Sequence, residues 1–141
     1  MSTMTAVRMH EFGTPEVLQT ETINRPEPGA HEVLVKVLAA SVNPVDWKIR
    51  QGGYPAVKED DLPIIPGRDL AGEIVAAGSG VTDVSIGDHV FAFLGPKRGA
   101  YQEYAVIGMT ELAPMPASLS PSEAAAVPLA GMTAWQGLFD H

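Results

Sequence analysis

The segment SVNPVDWKIRQGGY, residues 41–54, is dense in polar and charged groups, Asn43, Asp46, Lys48, Arg50 and Tyr54 among them. Local rules account for most of them. Asn43 can cap a helix that Pro44 opens, Asp46 and Arg50 stand at the i,i+4 spacing of an ion pair, and Lys48 can simply be solvated. They give no reason for Lys48 to stand beside Trp47, or for Tyr54 to follow a Gly52-Gly53 turn.

Other chemistry-bearing patterns are weaker. Gly78-Ser79-Gly80 follows an apolar run as a dinucleotide loop would, but the third glycine of that fingerprint is replaced by Asp83 and no helical pattern follows. It reads as a plain turn. The histidines His10, His31, His89 and His141 are scattered, with none at metal-ligand spacing from another, and there is no cysteine. Neither a nucleophile elbow nor a phosphate-cradling G-x-x-x-x-G-K is present.

The elements that must position the 41–54 segment are mostly strands. Residues 33–42 read as a buried strand around Lys36, and further strands are expected at 5–9, 17–23, 70–77, 89–94 and 101–107. Turn chemistry separates them: Pro26-Glu27-Pro28-Gly29, Gly52-Gly53, Gly78-Ser79-Gly80 and Gly87-Asp88. Short strands without long intervening helices indicate a barrel or sandwich. Tyr101 and Tyr104 then alternate across the last strand as barrel packing. A short helix is expected from Pro44 to Gly52. Ser120-Pro121-Ser122-Glu123 is a capping box that opens a second helix, broken at Pro128. A third follows with Met132, Trp135, Leu138 and Phe139 at helical spacing. The pattern shifts from β to helical near Ala113, which divides the chain into 1–113 and 114–141.

The 141 residues suffice for one domain with a real core. A formal charge of -8 disfavours duplex nucleic acid and anionic membranes as partners, both of which call for a basic face. The first residues carry Arg8, His10 and Glu11 where a signal peptide needs an apolar run, and the absence of cysteine fits a reducing compartment. A cytoplasmic protein is expected.

Four strings in register carry a family likeness: NPVDWKIRQGGY, PIIPGRDLAGEIVAAGSGVTDVSIGDHVFAF, GAYQEYAVI and LSPSEAAAVPLAGMTAWQGLF. Together they resemble the zinc-independent quinone oxidoreductases and enone reductases of the medium-chain dehydrogenase/reductase superfamily. The resemblance implies a mainly β fold, a GroES-like partly open β-barrel with a short helix after the third strand. It also implies C-terminal helices leading toward a Rossmann cofactor domain that does not follow within the sequence. The implied cofactor is NADPH, with NADH as the alternative, and the substrate a small quinone or enone. Asn43, Lys48 and Thr133 are implied at the cofactor, and Lys48 and Tyr54 in catalysis. Zinc-containing relatives place a cysteine ligand near Asn43 and a His-Glu pair where Arg68-Asp69 stands. No metal ligand is therefore expected, since a cation at position 68 repels Zn²⁺.

The intact protein is accordingly expected to be a homo-oligomeric reductase, and this chain alone inactive. The other readings are a noncatalytic GroES-like binding or structural module, or a zinc-free reductase of another carbonyl class.

Overall fold

The structure is a computed structural model that describes residues 2–140; His141 lies outside the described residues. Seven strands dominate it: β1 (Thr3–Arg8), β2 (Gln19–Asn24), β3 (Glu32–Ala40), β4 (Asp69–Ala77), β5 (His89–Phe93), β6 (Tyr104–Gly108) and β7 (Leu112–Pro114). β1 and β2 form an antiparallel ribbon, and the other five form an antiparallel sheet in the order β6-β3-β4-β5-β7. The ribbon closes onto the sheet through the segment before β6, where the Val7 N–H donates to the Tyr101 carbonyl and the Glu103 N–H to Thr5. This is a curled, partly open barrel.

The register follows from the hydrophobic pattern. β3 and β4 are the central pair, and Val33, Val35, Leu70 and Ile74 are buried with Val90, Leu94 and Ile107 in the main core. Between them the pairing slips at Val37, and Gly72 lies so close to the Lys36 carbonyl that a Cβ would sit 2.2 Å from its oxygen. Only a glycine admits that approach. A second cluster, Met9, Ile49, Val57 and Ile64, fills the space under the connection from β3 to β4.

Among the described residues there are three α-helices: α1 (Pro44–Arg50), α2 (Pro121–Ala125) and α3 (Pro128–Phe139). α2 is capped by Ser120, whose Oγ accepts from the Glu123 N–H while the Glu123 carboxylate accepts from Ser120 N. Its Ala124 and Ala125 pack on Ala71 of β4. α3 runs out from the sheet with Trp135, Leu138 and Phe139 exposed. Among the described residues no helix is long and apolar enough to cross a membrane.

Departures from the sequence reading have local causes. A 3₁₀ turn at Pro15–Val17 holds Val17, so β2 starts only at Gln19. Tyr101 precedes β6 rather than lying in it: its N–H donates to the Pro66 carbonyl, and its ring covers Gly67. β7, with three residues and a proline, has no periodicity to announce it.

A polar network at the start of β4

The end of β3, the start of α1, the start of β4 and the start of α3 meet at one place. Asp69, the first residue of β4, is fully buried there. Its Oδ2 accepts from Ser41 Oγ at 3.0 Å and from Asn43 Nδ2 at 2.9 Å, and its Oδ1 accepts from the Leu129 N–H at 3.1 Å. Leu129 stands in the first turn of α3, whose own flanking residue Val127 supplies no side-chain cap. Asp69 therefore caps that helix from another element, where a carboxylate also favours the positive end of the helix dipole. Thr133, one turn on, donates its hydroxyl to the Leu129 carbonyl at 2.8 Å.

Asn43 does not cap α1 with its side chain. Its Nδ2 also donates to Ser41 Oγ at 3.0 Å, so both amide protons are engaged beside β4. The capping is done in reverse by Asp46, whose Oδ2 accepts from the Asn43 N–H at 2.7 Å. Two acceptors facing one end of the amide fix its orientation, because the flipped form would set its carbonyl against the Asp69 carboxylate. The side-chain oxygen of Asn43, at the other end of the amide, makes no cap hydrogen bond to α1.

Asp46 and Arg50 do not pair. Arg50 Nε donates to the Gly13 carbonyl at 3.2 Å, while Asp46 faces inward with Ile49 and meets the Tyr101 hydroxyl at 3.4 Å. That hydroxyl also donates to the Ser41 carbonyl at 3.1 Å, so Tyr101 has a polar tie as well as its packing. Asp46 Oδ1 is buried with no partner. Burial pushes the Asp46 carboxyl above its ordinary range and Asp69 acts the same way, against the Asn43 N–H and the Arg68 cation. Burial and Asp46 likewise push the Tyr101 hydroxyl well above its ordinary range, so it remains a donor.

The raised Asp46 range has a testable consequence. The folded state holds that proton more tightly than the unfolded chain, so native stability falls as pH rises through the range. Asp46→Asn removes the titration and keeps an acceptor for Asn43. The melting temperature of the variant relative to the native protein is expected to climb with pH and to fall back in acid. A difference independent of pH would show that Asp46 is not held protonation-sensitive by its burial.

Of the residues the sequence singled out, the structure joins Asn43 to Thr133 through Asp69 and Leu129. It does not join the other two to them. Lys48 is exposed on α1 with its Nζ 5.7 Å from the Trp47 ring centre, and Tyr54 is half-buried against the Met9 cluster. The sequence reading passed over Asp69 and Ser41. The available signal was a charged pair, Arg68-Asp69, heading an apolar run, Leu70 to Gly72, that is buried, where charges stand only if partnered. Arg68 is partnered: its Nε donates to the Leu94 carbonyl at 2.5 Å and its guanidinium lies 4.5 Å from the Phe93 ring centre. Among the described residues there is no group of three or more His, Cys, Asp and Glu able to hold a metal ion.

A curled antiparallel sheet closed by a two-stranded ribbon, with polar groups gathered where a helix leaves it, defines a GroES-like barrel domain of the dehydrogenase type. The profile of the alcohol dehydrogenase GroES-like domain matches residues 29–117, and the chain belongs to that family, in the quinone-oxidoreductase branch of the medium-chain dehydrogenases/reductases. It is 40% identical to the quinone oxidoreductase of Rattus norvegicus over 96% of this chain and 41% of that protein. With the chloroplastic NADPH-dependent alkenal/one oxidoreductase of Arabidopsis thaliana it shares 41% identity over 91% of this chain and 35% of the relative. The quinone oxidoreductase of Coxiella burnetii superposes with a TM-score of 0.94 at 36% identity, covering 99% of this chain and 45% of that one. The Escherichia coli quinone oxidoreductase complexed with NADPH gives 0.87 at 34% identity, covering 96% and 40%. The chain thus spans less than half the length of these proteins.

Proposed function

We propose that this chain is the N-terminal domain of an NADPH-dependent oxidoreductase that passes hydride to a quinone or an α,β-unsaturated carbonyl without zinc. Residues 1–113 form the catalytic-type domain, and 114–141 lead into a cofactor-binding domain. NADH is the alternative donor. The observation that carries the reading is the hydrogen-bond chain from Asn43 through Asp69 and Leu129 to Thr133.

The donor set fits a nicotinamide cofactor. Asn43 has both amide protons engaged, and Thr133 has its one hydroxyl proton engaged, so each has only acceptor capacity left. Acceptors of that kind suit the N–H and O–H donors of a nicotinamide riboside. When bound, the cofactor supplies the hydride; this chain supplies orientation and charge. Lys48 has an ammonium without an acceptor among the described residues, free to stabilise negative charge on a substrate oxygen. Tyr54 has the hydroxyl that would donate a hydrogen bond or proton to that oxygen.

The zinc-free assignment rests on Arg68. A buried guanidinium stands where zinc-containing relatives carry histidine, and its charge opposes a dication. The full-length protein is expected to oxidise NADPH with a quinone or enone acceptor at a rate that a chelator leaves unchanged. Stoichiometric zinc together with activity lost on chelation would overturn the metal-free part. Failure to bind NADPH would overturn the whole reading in favour of a noncatalytic module.

A further inference from the structure

Resting on that reading, we propose that Asp69 is the positioning residue of the nicotinamide end, setting which way the hydrogen-bond donors run at Asn43 and fixing α3 and its Thr133. The carboxylate of Asp69 is acceptor-only and buried, and three donors from three elements converge on it: Ser41 Oγ after β3, Asn43 Nδ2 at the head of α1, and Leu129 N in α3. Each bond is local in space and distant in sequence, up to 60 residues for Leu129.

The consequence is directional. With an acceptor behind it, the Asn43 amide keeps its NH₂ toward Asp69 and Ser41 and its oxygen on the opposite side. Were position 69 an amide instead, one of its two ends would be a donor. Turned one way, that donor opposes the Leu129 N–H; turned the other, it opposes Ser41 and Asn43. In the second case Asn43 relieves the clash by flipping, and it then presents NH₂ where the cofactor requires an acceptor. In the first case α3 loses its cap, and Thr133 moves with the first turn. Either way, recognition of the cofactor suffers while the apolar core is untouched.

The same logic supplies its own rescue. In Asp69→Asn combined with Asn43→Asp, the amide at 69 donates to the new carboxylate and accepts from Leu129 N. The second carboxylate oxygen at 43 is again an acceptor on the opposite side. Amide and acid have exchanged places, and that polarity is restored.

The experiment measures NADPH affinity by fluorescence, steady-state kinetics on the full-length protein, and amide NMR spectra. Asp69→Asn is expected to raise Kd and KM for NADPH about tenfold or more, the factor carried by one hydrogen bond to a charged group. The KM for the quinone should stay as it was, and the Leu129 amide proton should shift upfield on losing its carboxylate partner. The exchanged double variant should recover most of the affinity. A purely structural role predicts fewer folded molecules with unchanged KM and no recovery in the exchange. Should Asp69→Asn fail to fold, Ser41→Ala removes only the hydroxyl that bonds both Asp69 and Asn43, and should raise KM for NADPH about threefold. Unchanged NADPH affinity in Asp69→Asn, or in Ser41→Ala where that is the variant tested, overturns the role of Asp69 and leaves the reductase assignment standing. Absence of NADPH binding by the unsubstituted protein overturns the assignment itself.

Discussion

On the proposed role of Lys48, Lys48→Ala in the full-length protein is expected to lower kcat by about 10²–10³-fold, the cost of removing one oxyanion-stabilising donor, with the melting temperature nearly unchanged. The reason lies in how α1 is seated. Its inward face consists of Asp46 and Ile49, while Trp47 and Lys48 point away and are exposed. The ammonium makes no ion pair among the described residues, and Arg50, which might have competed for Asp46, is tied to Gly13. An exposed, unpaired lysine contributes about 0.5 kcal/mol or less to stability, so stability and turnover separate cleanly in this variant. Lys48→Arg refines the test. It keeps the charge but replaces a compact, rotatable donor by a planar fork, and should restore only part of the rate. Unchanged kcat in Lys48→Ala, with NADPH still bound, would leave Lys48 as a solvated surface residue. Tyr54 would then be the remaining candidate among the proposed catalytic groups.

The fold was largely legible because its elements are local. Val33 to Val37, the apolar run after Asp69, and the capping box at Ser120 each declare themselves within ten residues, and the strands and helices appear where those signals stand. Chain ends of elements were less legible, since Pro15 and the Tyr101 turn act through geometry that periodicity does not register. The polar network was legible in part only. Spacing rules look no farther than a helical turn, so they assigned Asn43 to its own helix and Asp46 to Arg50. The structure instead carries Asn43 to Asp69, 26 residues away, and Asp69 to Leu129. Asp46 then finds Tyr101 rather than Arg50 because burial at the base of α1 removes it from the exposed face on which an i,i+4 pair would form. Family resemblance named Asn43 and Thr133; the three-dimensional path links the two through Asp69 and Leu129.

Arg68→Met is expected to destabilise the domain by about 3–5 kcal/mol at neutral pH, the usual penalty for removing one member of a buried charge cluster. Arg68 has only 6% of its surface exposed, precedes the fully buried Asp69 in sequence, and acts on the Asp46 carboxyl through its charge. Methionine replaces the stem of the arginine but neither its charge, its bond to the Leu94 carbonyl, nor its stacking on Phe93. Two carboxylates would then share a buried region without the cation that offsets them. The Asn43 N–H and, after it, the Arg68 cation hold the Asp46 carboxyl down against burial and Asp69, so loss of Arg68 raises that carboxyl further. The folded state then binds the proton more tightly still, and the destabilisation should grow as pH rises and shrink in acid. Urea denaturation of both proteins across that range measures it directly. A loss below about 1 kcal/mol, the size of an ordinary substitution, or one that does not vary with pH, would show that Arg68 acts by packing alone. Were Arg68→His examined in parallel with added zinc, no gain in metal affinity is expected: one imidazole supplies a single ligand, and tetrahedral zinc needs three or four. The positive charge of Arg68 thus acts on the Asp46 carboxyl while its stem and ring stacking fill the buried space beside Phe93.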